Sequence, residues 1–274
     1  MKTRVTFGVV GAIVVVVVLF FCPPIVAQLC MMALSVIAAQ EFTAAVAGKD
    51  GRHLQVAAML LALGTSMASA RNSYNEYWLR AMLLAGVVVL FAILLRCHKK
   101  IGFTEIAGAY FGGIIIPSML MSLIRMFTMT EANGKVYIFI PLLAAWGSDT
   151  FALFAGMAFG KHKLAPVISP KKTIEGSVGG VAGAVVLMVL YGLAVNALAD
   201  AGMSIALCVA IGLFGAVLGQ VGDLSFSIVK RKVGIKDYGK IFPGHGGVLD
   251  RFDSVIFVAP AVELLLHLFT TLGI

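Results

Sequence analysis

Charge is what this sequence has least of. Asp, Glu, Lys and Arg make up 12% of its 274 residues, about half the ~25% of an ordinary soluble domain. With 60% of residues hydrophobic, a soluble protein with an oversized core is excluded: water would not tolerate the apolar surface left over, so the bilayer is the expected solvent. The charge present leans one way, to a formal +8. At a mean hydropathy of +1.01 that excess is read as cytoplasmic loops lying against anionic headgroups, and nucleic acid is not expected as a partner. Cysteine is sparse too. Cys22, Cys30, Cys97 and Cys208 are scattered, with no zinc-like Cys/His spacing and no disulfide framework. A removable leader is not expected either. "MKTR" before an apolar run resembles one, but "LFF" before Cys22 is too bulky for a processed site and Pro23-Pro24 follows, so the first run reads as an uncleaved span.

What the chain does have is long apolar runs. A spanning helix needs about 20 mainly apolar residues, and the segments 5–21, 24–40, 54–70, 80–95, 101–124, 136–157, 175–198, 204–229 and 254–273 qualify. The expected fold is an all-α polytopic integral membrane protein of about nine transmembrane helices. Pro23-Pro24 joins the first two spans as a tight hairpin. With the N-terminus cytoplasmic and the C-terminus outside, only Arg71, Arg80, Arg125 and Lys135 of the 21 Lys and Arg fall on the outer side, as the positive-inside rule asks. Tyr74, Tyr77 and Trp78 then read as an outer aromatic belt. Two parts are expected: residues 1–135, N-terminal packing helices, and residues 136–274, the part that carries the polar loops.

Polar chemistry collects in three stretches, all expected on the cytoplasmic side: residues 146–177, 219–232 and 236–254. Asp149 interrupts an apolar span, which costs about 2.5–3.5 kcal/mol on insertion scales unless a cation, a metal or a water-filled cavity faces it. Asp223, flanked by Gly219 and Gly222, shares one helical stripe with Ser227 and with Lys230 or Arg231; a plain Asp–Lys pair at a helix end would look the same. Asp250 and Asp253 stand three apart at the start of the last helix, where either could be a simple cap. His245 with Gly244, Gly246 and Gly247 makes a turn whose bare amides suit an anion. Separated carboxylates suit Mg²⁺, and numerous Lys and Arg suit a polyphosphate. Phosphoryl or nucleotidyl transfer at a membrane surface is the chemistry these types share.

The segment "SIVKRKVGIKDYGKIFPGHGGVLDRFD", residues 227–253, closely resembles the signature of the phosphatidate cytidylyltransferases, the CDP-diacylglycerol synthases. Ser227, Lys230, Arg231, Lys236, Asp237, Pro243, His245, Gly246, Gly247, Asp250, Arg251 and Asp253 stand in that signature's order and spacing. Residues 148–180 resemble a second block of the family, with Ser169-Pro170-Lys171-Lys172-Thr173 and Glu175-Gly176. Leu153 stands there in place of a usual aromatic and Met157 in place of a frequent Arg. The resemblance covers roughly the C-terminal half.

It implies that CTP and phosphatidate give CDP-diacylglycerol and pyrophosphate at the cytoplasmic face of the cell membrane. Mg²⁺ is the expected cofactor, with a second cation, Mg²⁺ or monovalent, left open. Asp223 and Asp250 are the first metal ligands expected, with Asp149 and Asp253 as further ligands or orienters. Lys230, Arg231 and Arg251 are expected on phosphates. Ser169, Lys171, Lys172 and Thr173, in an irregular loop around Pro170, are expected to hold CTP or the lipid phosphate, with Glu175 and Ser227 beside them. Gly246, Gly247 and His245 would form the anion-binding turn, and Lys236 and Asp237 would order the loop or read the nucleotide.

Three other readings compete: an ion-coupled transporter using Asp149, Asp223 and the Glu263–His267 pair; an enzyme joining CTP to a different lipid phosphate; and a purely structural membrane protein. A transport path needs polar groups through both membrane halves, and here they gather on one. Small residues in "GSVGGVAGAVV", 176–186, permit close helix packing, either within the chain or in a homodimer.

Overall fold

The computed structural model describes residues 15, 17–48, 51–69, 76–130, 133–199, 201–242, 244 and 246–272. Among the described residues, eight helices of eighteen residues or more carry it: α1 Pro24–Ala47, α2 Arg52–Ser69, α3 Glu76–Cys97, α4 Phe103–Phe127, α5 Gly134–Phe159, α6 Ile174–Ala199, α7 Ile205–Lys232 and α8 Leu249–Leu272. Among the described residues, seven of these are long and apolar enough to cross a membrane. α2 is not among the seven: Arg52, His53 and Gln55 open it and Thr65, Ser66 and Ser69 close it. Most of the expected span at 5–21 lies outside the described residues, as does Tyr74, while Tyr77 and Trp78 are exposed. Pro24 starts α1 at its first position and Pro23 sits just before it, where the missing N–H has no helical partner to lose. The four cysteines are free.

The helices sort into two compact units, Met1–Thr128 with Lys232–Phe252 and Met129–Arg231 with Asp253–Ile274. In the first, α2 and α4 bury a core of Leu54, Ala58, Leu61, Ile106, Ala109 and Ile114, which Leu90 of α3 joins. Gly112 lets α4 cross α1 closely, since a Cβ there would meet the Thr43 hydroxyl and the Ala39 carbonyl at 2.8 and 3.2 Å. α4 loosens into a π turn at Phe111–Ile115 just before Pro117. Proline has no N–H to give the carbonyl four residues back, and that carbonyl, Gly113 O, instead accepts from Thr65 Oγ1 at 3.4 Å.

In the second unit α5 and α6 pack along their length. The small residues of 176–186 face inward on α5: a Cβ on Gly176 would press on Ala152 O, and one on Gly180 on Ser148 O, at 2.7 and 2.8 Å. Between α5 and α6 the chain makes β1 Lys163–Ala165 and β2 Ser169–Thr173, an antiparallel hairpin with a register shift between Lys163 and Ala165. The irregular loop expected around Pro170 is therefore a strand in an otherwise helical fold. A prolyl nitrogen is tolerated in a strand whose outer edge is unpaired.

Candidate active site

In the second unit, three helices bring carboxylates together. Asp149 projects from the middle of α5, Asp223 from the cytoplasmic-side half expected of α7, and Asp253 from the first turns of α8. Asp253 lies within electrostatic reach of Asp149, Asp223 and Lys230. Ser254 Oγ donates to Asp149 Oδ2 at 3.2 Å, and Ser254 N donates to Asp253 Oδ1 at 2.9 Å, so one serine ties α8 to α5. Gly222 makes room for the approach of α8 to α7, because a Cβ there would stand 2.7 Å from Asp253 O. Of the stripe expected on α7, Asp223 and Ser227 meet: Ser227 Oγ donates to Asp223 Oδ1 at 3.3 Å, one turn away.

Cations face these acids. Lys172, from β2, forms an ion pair with Asp223 Oδ2, each side chain a quarter exposed. Its Nζ is enclosed, and no well-aligned hydrogen bond accompanies the pair. Lys230 Nζ stands 4.0 Å from Asp253 Oδ2. Arg231, one residue on, turns to the hairpin, where its Nε donates to Ile168 O at 3.3 Å.

The hairpin that presents Lys172 is itself fastened. Glu175, in the first turn of α6, accepts from the backbone N–H groups of Lys161 and His162 at 3.1 and 3.2 Å, and its carboxylate meets His162 Nδ1 at 2.6 Å. Thr173 is buried and its Oγ1 accepts from Gly176 N at 3.1 Å, which caps α6. Both residues thus hold the frame in which Lys171 and Lys172 stand. Lys171 is exposed and Ser169 half-buried.

The first unit holds the loop between α7 and α8. Asp250 Oδ2 accepts from Tyr238 N at 2.8 Å and from Gly247 N at 3.0 Å, and the carboxylate is buried. The Gly247 amide, expected to face an anion, is thus turned to Asp250. Gly246 has φ +86°, a left-handed conformation natural to glycine, and a Cβ there would stand 2.8 Å from Asp250 Oδ2. Phe242 N donates to Gly246 O at 2.9 Å and closes the turn. Lys236, Asp237 and Arg251 are exposed on this loop and helix start. His245 and Pro243 lie outside the described residues.

Residues 2–269 match the model of the cytidylyltransferase family. This chain belongs to the cytidylyltransferase family. Among proteins it is similar to is a phosphatidate cytidylyltransferase of Staphylococcus epidermidis strain RP62A, 35% identical over 221 residues, which are 78% of this chain and 81% of that protein. A Bacillus subtilis strain 168 protein of the same name is 38% identical over 194 residues, 67% and 68% of the two chains. One from Staphylococcus haemolyticus is 44% identical over 140 residues, about half of each chain.

Two residues of this family member escaped the sequence reading. Ser254 looks like a filler between Asp253 and an apolar run, and only the crossing of α5 shows its use. Glu41 is the other: it lies in α1, is 4% exposed, and accepts from Val248 N and Leu249 N at 3.2 and 2.9 Å. A carboxylate in the apolar run "SVIAAQEFTAAV" was a visible signal, since an acid at membrane depth needs donors.

Proposed function

We propose that this cytidylyltransferase-family chain converts CTP and phosphatidate to CDP-diacylglycerol and pyrophosphate, a step of phospholipid synthesis within the membrane. The observation that carries the reading is the grouping of Asp149, Asp223 and Asp253 with Lys172 and Lys230 in one compact unit. Acids and bases held this close to apolar spans answer a need to handle multiply charged reactants.

Among the described residues, no group of three or more His, Cys, Asp or Glu is set as a ready-made metal cage. Mg²⁺ does not ask for one: it keeps several waters and takes one or two carboxylates together with substrate phosphates. Hard oxygen donors faced by ammonium groups fit that ion. Asp149, Asp223 and Asp253 would hold it; for Asp250 a metal role is implied by its place in the motif alone. Bound there, a divalent ion supplies charge neutralisation for the phosphate oxygens.

The chain's own residues do the rest. A phosphatidate oxygen attacks the α-phosphorus of CTP, a new P–O bond forms, and the bond to the β-phosphate oxygen breaks with pyrophosphate carrying off its electron pair. The nucleophile is already an anion, so no strong base is needed, and positioning with charge stabilisation does the work. Lys172 and Lys230 stand at the acids and exchange those partners for phosphate oxygens as substrate enters. Lys171, Ser169 and Arg231 line the same hairpin and helix end and meet the outer phosphates. For the loop before α8 the motif alone implies roles: a phosphate for Arg251, and ordering the loop or reading the nucleotide for Lys236 and Asp237. Ser227 keeps Asp223 in its rotamer. The positive-inside balance puts this chemistry on the cytoplasmic face of nine spans, with the C-terminus outside.

Purified protein offered each nucleoside triphosphate with several lipid phosphates, and scored for nucleotide in lipid, tests the substrates; CTP with phosphatidate is expected to lead. Asp223→Asn and Asp250→Asn, each followed across a Mg²⁺ titration, test the ligands. Near wild-type incorporation at ordinary Mg²⁺ removes the metal role from both.

A further inference from the structure

Glu41 is buried in an apolar helix, far in sequence from every polar stretch, and its carboxylate is fully engaged with the start of α8. Val248 N and Leu249 N donate to its two oxygens. These amides are among the first of α8, which no helical carbonyl can satisfy, and a negative charge at a helix N-terminus is favourable. Two glycines close on the same carboxylate: a Cβ on Gly239 or on Gly247 would collide with it. The next residue of α1, Phe42, stacks at 5.9 Å between ring centroids on Tyr238, the residue whose amide donates to Asp250. All of these residues belong to the first unit.

We infer that Glu41 is a positioning residue for nucleotidyl transfer, a latch that sets the loop between Tyr238 and Leu249 and, through it, the rotamer and place of Asp250. The inference rests on the proposed activity, to which Asp250 contributes. Two carboxylates divide the loop amides, Glu41 taking Val248 and Leu249, Asp250 taking Tyr238 and Gly247. Without the first, the start of α8 has unsatisfied donors, and Asp250, which already holds the neighbouring Gly247 amide, is an acceptor on the same loop. A carboxylate drawn to those amides is no longer presented as the motif requires. The glycines at 239 and 247 follow from the same cause: nothing larger fits beside Glu41.

Glu41→Gln tests this, because it keeps the volume but brings an amide N–H toward one of the two donors. Two readouts are taken on monodisperse protein in detergent: hydrogen exchange, and CTP incorporation with Mg²⁺ and CTP varied. Exchange is expected to speed at least tenfold at the amides of 247–249 and to stay unchanged in α5 and α6. The kcat is expected to fall about tenfold and the Mg²⁺ concentration for half-activity to rise, with the KM for phosphatidate unmoved. Gly239→Ala, costly alone, is expected to be partly relieved when combined with Glu41→Ala; if Glu41→Gln does not fold, this pair gives the same reading. Unchanged exchange with wild-type kcat and Mg²⁺ dependence overturns the latch, as does strict additivity of the Gly239 and Glu41 variants. If instead the wild-type protein makes no CDP-lipid, the proposed activity fails, while the exchange result still decides whether Glu41 holds the loop.

Discussion

Replacing Asp223 by Asn and Lys172 by Met, singly and together, measures what the enclosed pair contributes. Both changes keep side-chain size, so the charges are what is removed. At an effective dielectric near 20, two unit charges about 4 Å apart attract by about 4 kcal/mol. The cost of taking both groups out of water offsets much of this, and each side chain here is still a quarter exposed. A coupling of about 1–3 kcal/mol is therefore expected from the double-mutant cycle, within the range found for residues in contact. Each single variant leaves one charge without this partner, so each should unfold more easily than the double variant would suggest. The assay is equilibrium unfolding in detergent, repeated with Mg²⁺. Wild-type protein should gain stability from the ion, the Lys172→Met chain should gain it at lower Mg²⁺ because no ammonium competes for Asp223, and the Asp223→Asn chain should gain little. Additivity within about 0.5 kcal/mol, the behaviour of sites that do not interact, would refute the pairing. An unaltered Mg²⁺ response in Asp223→Asn would refute its place at the ion.

Other perturbations separate frame from chemistry. Thr65→Val keeps the volume but leaves Gly113 O, four residues before Pro117, without its donor; unfolding should ease by about 1–3 kcal/mol, the cost of an unsatisfied buried acceptor. Gly180→Val drives a branched side chain against Ser148 O and Ala152, and overpacking of this kind should destabilise by about 1–3 kcal/mol in the same measurement. Glu175→Gln keeps one acceptor oxygen but loses the carboxylate that meets His162 Nδ1. Amide exchange across 161–173 should then quicken and the KM for CTP rise, because the hairpin that carries Lys171 and Lys172 has lost its fastening.

The motif residues of the C-terminal half were legible because their spacing is local. Asp223 and Ser227 meet since four residues make about one helical turn, and they would do so on any straight helix. Thr173 and Glu175 were legible as residues that matter, but their roles were not. Whether a hydroxyl or a carboxylate meets a ligand or the backbone depends on which amide lies within reach: Gly176 N meets Thr173 as a local cap, whereas the amides of Lys161 and His162 reach Glu175 only once the hairpin folds back on α6. Composition likewise announced a membrane chain, while the fit of Thr65 to Gly113 depends on how α2 and α4 rotate about their axes.

What the sequence determined alone was the solvent, the order of the apolar spans and the identity of the charged residues, because each follows from hydropathy and from neighbours along the chain. The tertiary structure alone decided partners: Ser254 for Asp149, Lys172 for Asp223, Glu41 for the amides that open α8. Helices that are apolar on every side carry no stripe to say which face turns inward. The crossing is settled by glycine contacts and by the need of buried polar groups for one another, and both appear only when distant segments are packed together.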